Sequence, residues 1–229
     1  MRLEVLPDAA AAASRAAARI AEAAREAVAA RGRFVFAVSG GHSPWIMLRA
    51  LAGERLPWEK IHVFQVDERV APTGDPDRNL THLRESLLAH APLPPENVHA
   101  MPVEAADLDA AARGYARELE KLTGSPPVLD LAHLGLGPDG HTASLVPGDP
   151  VLSVTDRDVA LTAAYMGHRR MTLTYPALDR ARRVLWLVTG ADKAPMLPRL
   201  RDGDSTIPAG RVRGDGALVI ADQAAAGRG

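Results

Sequence analysis

The sequence predicts an α/β fold in which a mostly parallel sheet carries helices on both of its faces. Short apolar runs alternate along the chain with segments of helical composition, as expected when helices connect parallel strands. The run at 34–38 lacks the polar alternation of a half-exposed strand, so both of its faces should be buried. Neither a fixed repeat nor a low-complexity linker divides the 229 residues, and we therefore expect one domain over 1–229.

The first half of the chain predicts helices and strands in a regular order. Alanine, arginine and glutamate dominate 9–30, and Gly32 follows as a C-terminal cap. The strand at 34–38 ends in Ser-Gly-Gly-His-Ser-Pro (39–44), and a helix with proline near its first turn begins there. The elements expected next are a strand at 61–66, a polar loop at 67–78 and a helix at 79–89.

The second half continues this alternation. It predicts a helix at 108–122 and a strand at 129–134 that ends in Gly-Leu-Gly-Pro-Asp-Gly-His (135–141). Further strands are expected at 159–161, 171–174, 183–188 and 217–220, with helices after Pro176 and Ala191.

The charge balance and the absence of cysteine exclude several classes of function. Lysine and arginine number 27 against 28 acidic residues, a net charge of −1, which argues against a nucleic-acid partner. Without cysteine, the chain has no disulfide, no thiolate metal site and no cysteine nucleophile. The N-terminus lacks the pattern of a targeting segment, and the charges within 8–31 are too many for a membrane span. We therefore expect a cytoplasmic protein with no membrane partner.

Three loops that follow predicted strands carry the residue types of a ligand site, because parallel sheets bind ligands beyond the carboxyl ends of their strands. In the first loop, Ser39, Gly40, Gly41 and Ser43 let the backbone approach a ligand, and the following helix offers free N–H groups to a phosphate. The loop is neither a Walker A loop nor a dinucleotide fingerprint. A tight strand-to-helix turn without any ligand is an equally good interpretation.

The second loop and two later segments supply cations. Asp67, Glu68 and Arg69 follow an apolar strand, where Arg69 can bind a phosphate or carboxylate in a fork. Arg169-Arg170 and Lys193 lie near later strands. Taken by themselves, the charges at 67–69 are better explained by a surface ion pair. The alternative for Arg169, Arg170 and Lys193 is a solvated end of a helix or strand.

The third loop contains the best candidate for a catalytic base. His141 follows a strand that looks buried, and Asp139 lies two residues earlier. An imidazole can take a proton from water near neutral pH, and a nearby carboxylate can orient it and support its charged form. The other histidines show no metal-ligand spacing, so a metal site is not expected. The residues alone indicate an α/β enzyme or a binding protein for a small anionic ligand.

Seven motifs together give the chain a resemblance to a known family. They are Ser-Gly-Gly-x-Ser-Pro at 39–44, Asp-Glu-Arg-Val at 67–70, Asp-x-Asn at 77–79, Gly-Leu-Gly-x-Asp-Gly-His-Thr-Ala-Ser-Leu at 135–145, Arg-Met-Thr-Leu-Thr at 170–174, Gly-Ala-Asp-Lys-Ala at 190–194 and Ile-Pro-Ala at 207–209. In this order they resemble the 6-phosphogluconolactonase family, which shares its fold with glucosamine-6-phosphate deaminases. The element that contains His141 is the specific one.

The resemblance implies hydrolysis of 6-phospho-D-glucono-1,5-lactone to 6-phosphogluconate in the oxidative pentose phosphate pathway, on a glucosamine-6-phosphate deaminase-like fold. His141 would be the general base and Asp139 its support. A lactone is already activated, so neither a metal nor an organic cofactor is expected. The residues that would bind the phosphorylated sugar lactone are Ser39, Gly40, Gly41, Ser43, Asp67, Arg69, Arg78, Arg170 and Lys193.

Two alternatives remain at this point. Deaminases of this fold resemble Asp-Gly-His-Ile-Ala-Phe-Asn-Glu-Pro and use the glutamate in catalysis, whereas this chain has Val146 at that place. Valine cannot transfer a proton, which favours the lactonase over a deaminase with Asp67 as base. A sugar-phosphate sensor without catalysis is the other alternative, and the presence of both Asp139 and His141 argues against it.

The chain departs from the lactonase pattern at two places. Lactonases often show Lys-Pro-Pro shortly before the Arg-x-Thr-Leu-Thr strand, and here the stretch is Tyr-Met-Gly-His-Arg at 165–169. A serine usually precedes Asn79, and here Arg78 does. Arg78, Arg169 or Arg170 could supply the missing charge to the phosphate.

Overall fold

A seven-stranded sheet of parallel strands forms the centre of the fold in residues 1–227, the part of the chain that the computed structural model describes. The strands of this part are β1 (Arg2–Leu6), β2 (Phe34–Val38), β3 (Ile61–Gln65), β4 (Asp67–Arg69), β5 (Val98–His99), β6 (Leu131–Leu134), β7 (Val159–Leu161), β8 (Arg170–Leu173), β9 (Val184–Val188) and β10 (Leu218–Asp222). The parallel sheet has the order β1-β10-β9-β6-β2-β3-β5. The predicted α/β class is confirmed.

Six α-helices of the described chain accompany the sheet. They are α1 (Ala9–Arg31), α2 (His42–Ala52), α3 (Asn79–Leu83), α4 (Leu108–Thr123), α5 (Tyr175–Asp179) and α6 (Met196–Arg201). The helix expected at 79–89 is α-helical only over its first half, and Arg84–Leu88 forms a π-helical turn. Within residues 1–227, every helix is too short or too polar to cross a bilayer.

The first helix begins and ends at the residues that its sequence indicates. The side chain of Asp8 accepts the N–H of Ala11, and Gly32 adopts a left-handed φ of 76° and donates its N–H to the carbonyl of Val28. Eight of the nine buried residues of α1 are alanines. These small side chains let α1 pack closely on α2 and on one face of the sheet.

The strand β2 is buried on both faces, as its apolar run predicts. Phe34 and Phe36 point into the core formed with α1 and α2. Val35 and Ala37 point into the opposite core, which includes Tyr115 of α4. Helices therefore cover both faces of the sheet, and its central strands have their carboxyl ends at one common edge.

A second sheet, which the sequence did not predict, lies beside that edge. It is antiparallel, with the order β4-β8-β7. The expectation of a loop from residue 67 is wrong for Asp67–Arg69, because these three charged residues form β4. Their strand conformation depends on pairing with β8, a contact between distant parts of the chain that has no local apolar pattern to reveal it.

Two strands of the main sheet were also missed. Strand β1 pairs with β10, so both ends of the described chain join the same sheet. Its side chains are mostly half-buried, which gives a weak pattern. Strand β5 has only two residues and pairs with β3.

Candidate active site

A cleft of about 330 Å³ opens at the carboxyl ends of β2, β6 and β9. Loops that follow these strands border the cleft, together with residues of β4 and β8. This edge is where open parallel sheets bind ligands. The residues that line it are Ser39, Gly40, Gly41, His42, Ser43, Pro44, Asp67, Arg69, Asn79, Gly135, Leu136, Gly137, Pro138, His141, Ala143, Arg170, Leu187, Thr189 and Lys193. The structure thus brings together the three loops that the sequence selected.

His141 and Asp139 form a hydrogen-bonded pair beside the cleft. Nδ1 of the imidazole lies 2.5 Å from Oδ1 of Asp139, and the backbone N–H of His141 donates to the same oxygen at 3.1 Å. Since a carboxylate only accepts, Nδ1 carries the hydrogen in this contact. Nε2 is then the nitrogen that can accept a proton from a molecule in the cleft.

The environment keeps Asp139 ionised. Partial burial alone would raise the pKa of its carboxyl, but the backbone N–H and the imidazole of His141 outweigh this effect and lower the pKa from its ordinary value. A charged Asp139 holds the Nδ1–H tautomer of His141.

Glycine at position 137 makes room for this pair. A Cβ atom on Gly137 would lie 2.1 Å from Nδ1 of His141 and 2.7 Å from Oδ1 of Asp139. The turn is closed by two backbone hydrogen bonds, from Gly137 to the carbonyl of His141 and from Gly140 to the carbonyl of Gly137. The space left by Gly137 and the hydrogen bonds of this turn therefore fix the position of the His141 imidazole.

The loop after β2 approaches the cleft closely through its two glycines. A Cβ on Gly40 would lie 1.9 Å from Oδ1 of Asn79, and Gly41 has a φ of 124°, which L side chains rarely adopt. The hydroxyl of Ser39 is buried at the cleft without a hydrogen-bond partner in residues 1–227. The hydroxyl oxygens of Ser43 and Thr189, two residues that line the cleft, lie 2.5 Å apart and share a hydrogen bond.

Two arginines lie opposite each other on β4 and β8. Arg69 and Arg170 are register partners in this antiparallel pair. Burial first, and then the charge of Arg69, lower the pKa of Arg170 from its ordinary value, and its Nε lacks a partner among the described residues. Like charges placed opposite each other repel, so this arrangement favours an anion between them. Lys193 adds a third cation to the lining and is ion-paired with Asp192.

Asp67 lines the same cleft, but its carboxylate is already occupied. Oδ2 accepts from the hydroxyl of Ser144 at 2.6 Å, and Oδ1 accepts from the amide of Asn79 at 3.3 Å. Asn79 in turn accepts a hydrogen bond from Arg69. Asp67 therefore holds neighbouring polar groups in place.

Arg78 is the exception among the predicted binding residues, because it does not line the cleft. Its side chain is buried away from the cleft, with Nε 3.1 Å from a carboxylate oxygen of Glu68 and an amino group on the carbonyl of Ala71. Glu68 is completely buried and also accepts backbone N–H groups at residues 69, 79 and 80. Arg78 neutralises this carboxylate, so its charge is not directed to a ligand.

Asn79 and Thr189 belong to the cleft although they were not among the predicted binding residues. The sequence contains a signal for each of them. Asn79 lies in the Asp-x-Asn motif, and Thr189 directly follows β9, where parallel sheets bind ligands. Across residues 1–227, no group of three or more histidine, aspartate or glutamate side chains is arranged to hold a metal ion.

The chain is similar in sequence to known proteins of one family. A family model described as glucosamine-6-phosphate isomerases/6-phosphogluconolactonase matches residues 7–220. A 6-phosphogluconolactonase of Nostoc sp. is 36% identical over 232 residues, covering 98% of this chain and 96% of the relative. A 6-phosphogluconolactonase of Synechocystis sp. is 44% identical over 172 residues, covering 73% of this chain and 71% of the relative.

Solved structures give the same result for the fold. A 6-phosphogluconolactonase from Thermotoga maritima superimposes with a TM-score of 0.86 at 29% identity, covering 96% of this chain and 98% of that one. A monomeric glucosamine-6-phosphate deaminase also reaches 0.86, at 19% identity and complete coverage of both chains. At that identity the second likeness concerns the fold alone.

Proposed function

This chain belongs to the glucosamine-6-phosphate isomerase/6-phosphogluconolactonase family, and on that premise we propose that it hydrolyses 6-phospho-D-glucono-1,5-lactone to 6-phosphogluconate. The observation that carries this proposal is the Asp139–His141 pair, which leaves one imidazole nitrogen free on a histidine that lines a cleft with three cations. Relatives that cover nearly all of this chain are 6-phosphogluconolactonases.

In the proposed mechanism, His141 is the general base. Its Nε2 takes a proton from a water molecule as the water oxygen attacks the lactone carbonyl carbon. Asp139 holds the Nδ1–H tautomer and stabilises the imidazolium. The tetrahedral intermediate collapses by breaking the bond to the ring oxygen, and the imidazolium returns the proton to that oxygen.

The remaining groups of the cleft bind the substrate and stabilise the tetrahedral intermediate. The substrate phosphate fits between Arg69 and Arg170, whose mutual repulsion it relieves, and Lys193 is the third cation. The first turn of α2 leaves backbone N–H groups without helical partners, and these can donate to the oxyanion of the intermediate. The buried hydroxyl of Ser39 is a further donor for the substrate. No step needs a metal ion or an organic cofactor.

The deaminase alternative fits this site less well. Deaminases of this fold carry a glutamate where this chain has Val146, and that valine is buried. A deaminase would also need Asp67 as a free base. In this structure, Asp67 accepts hydrogen bonds on both carboxylate oxygens. Both carboxylate oxygens are therefore already engaged, whereas a proton-abstracting base has to reach the substrate with a free oxygen.

The deciding assay adds purified protein to freshly generated 6-phosphogluconolactone and follows acid release above the spontaneous rate. We expect strong acceleration, and no ammonia release when glucosamine 6-phosphate is offered instead. Ammonia release without lactone hydrolysis would support the deaminase. Binding of 6-phosphogluconate without turnover of either substrate would support the sensor.

A location in the cytoplasm and the lack of a nucleic-acid partner remain proposals. The net charge of −1 supports the second of them. Cell fractionation tests the first, and a filter-binding measurement with duplex DNA at low salt tests the second.

A further inference from the structure

A short hairpin beside the cleft carries Tyr165 next to the catalytic pair. Tyr165 and His168 form a β-bridge across two turn residues, Met166 and Gly167, whose φ values of 49° and 85° are both positive. Positive φ at both central residues is typical of a tight type I′ turn. Nε2 of His168 lies 3.2 Å from Oδ2 of Asp77, which fixes the other strand of the hairpin.

The hydroxyl of Tyr165 contacts the Asp139 oxygen that His141 leaves free. It donates to Oδ2 at 3.2 Å, whereas His141 occupies Oδ1. The carboxylate is therefore held from two sides, and its rotation would break one contact or the other. Burial, and then the charge of Asp139, raise the pKa of Tyr165 above its ordinary value, so the phenol remains a donor at neutral pH.

The ring of Tyr165 contacts two further groups of the site. The guanidinium carbon of Arg170 lies 5.1 Å from the ring centroid, within the range of a cation–π interaction. The imidazole of His141 meets the ring edge-on, with centroids 5.7 Å apart. One side chain thus borders both the catalytic pair and the buried cation.

We propose that Tyr165 is a positioning residue of this active site, whose hydroxyl fixes Asp139 against His141 and whose ring supports the guanidinium of Arg170. This inference rests on the function proposed above, in which His141 is the base. The lactonase pattern has Lys-Pro-Pro in this region, whereas this chain has Tyr165 and the type I′ turn. The contact to Asp139 therefore arises from this chain's own sequence.

Loss of the hydroxyl has a defined electrostatic consequence. Without the Tyr165 donor, more of the negative charge of Asp139 acts on His141, which stabilises the imidazolium. His141 should then become protonated at a higher pH, and the less constrained carboxylate should orient the imidazole less well. The other charged groups of the cleft are unchanged by the substitution Tyr165→Phe; they are Asp67, Arg69, Arg170 and Lys193.

The experiment compares wild type with Tyr165→Phe, which keeps the ring. We expect kcat to fall about tenfold, the worth of one hydrogen bond to a charged group, with little change in KM. The acidic limb of the pH–rate profile should move to higher pH. An NMR titration of the His141 imidazole without substrate should show the same upward move.

A second substitution, Tyr165→Leu, removes the ring as well. Because Arg170 then loses its aromatic contact, KM for the lactone should rise about three- to tenfold in addition to the fall in kcat. The control is Met166→Asn at the exposed tip of the hairpin, where asparagine tolerates the positive φ. This variant should keep the wild-type kcat, KM and His141 titration.

An unchanged His141 titration in Tyr165→Phe would overturn the positioning role, even if the variant lost activity through a general loss of structure. Failure of the proposed function would be visible separately, as a wild-type protein that does not hydrolyse the lactone. In that case the NMR titration still decides whether the hydroxyl acts on His141 through Asp139.

Discussion

A Cβ atom on Gly137 would lie 2.1 Å from Nδ1 of His141, so the imidazole of His141 occupies space that only glycine leaves open. The same atom would lie 2.7 Å from Oδ1 of Asp139. Contacts this short require the imidazole or the carboxylate to move. The loop after β6 therefore couples a backbone requirement directly to the chemistry of the site.

The substitution Gly137→Ala should reduce kcat while the protein remains folded. A displacement of the imidazole by about 1 Å is enough to cost about 10²-fold in rate. Steady-state kinetics, with circular dichroism to check the fold, measure this effect. The control is Gly114→Ala within α4, which meets no atom closer than 4.0 Å and should leave the kinetics unchanged. A Gly137→Ala enzyme with wild-type kcat would contradict the assignment of this space to the imidazole.

The opposed arginines should contribute to substrate binding more than to catalysis, because the phosphate does not react. Arg69→Ala and Arg170→Ala should each weaken binding by about 1–3 kcal/mol, seen as a higher KM with a smaller change in kcat. The neighbouring Arg169→Ala is a matched control, since Arg169 is exposed and does not line the cleft. Wild-type KM in the first two variants would remove both arginines from the phosphate site.

The parts of the site that depend on near neighbours could be predicted from the sequence. Asp139 and His141 are separated by one glycine, so their contact needs only a tight turn. The strand at 34–38 showed its double burial by the absence of polar alternation, and this located the glycine loop after it. These are local features that one chain segment specifies by itself.

The parts that depend on distant segments could not be predicted. Arg69 and Arg78 both come after β3 in the sequence and carry the same guanidinium group. The pairing of β4 with β8 nevertheless directs only Arg69 to the cleft. Burial of Glu68 requires a cation, and Arg78 supplies it. The contact of Tyr165 with Asp139 spans 26 residues and depends on how the hairpin packs on the loop after β6.

His133 should make the protein less stable in acid. Burial lowers the pKa of this imidazole from 6.5 to about 3, and its two nitrogens have no hydrogen-bond partner within residues 1–227. Between these two pH values, the unfolded chain binds a proton that the folded chain does not. The stabilisation from a neutral His133 is therefore complete above pH 6.5 and is lost as pH falls towards 3.

The substitution His133→Leu tests this prediction. In wild type, protonation linked to His133 should lower the free energy of unfolding by about 2 kcal/mol between about pH 7 and about pH 5. The His133→Leu variant should lack this part of the decrease. Urea unfolding at both pH values measures the effect, and the exposed His90→Gln serves as the control. An equal pH dependence in wild type and His133→Leu would show that this imidazole does not remain neutral in the folded protein.

Activity should not depend on a divalent metal ion, because His141 activates water without one in the proposed mechanism. Prolonged chelation followed by desalting should leave kcat and KM unchanged. Inductively coupled plasma analysis of the treated sample confirms that metals have been removed. A loss of activity that one divalent ion specifically restores would contradict the metal-free mechanism.

The most direct test of His141 as the general base is the rate of lactone hydrolysis by His141→Asn, with spontaneous hydrolysis subtracted at every pH. Asparagine keeps polarity and similar size but cannot accept a proton near neutral pH. We expect kcat to fall by about 10²–10⁴ and the acidic limb of the wild-type profile to disappear, with binding of 6-phosphogluconate much less affected. The exposed His90→Asn should behave like wild type. A His141→Asn enzyme with nearly wild-type kcat and the same acidic limb would show that another group is the base.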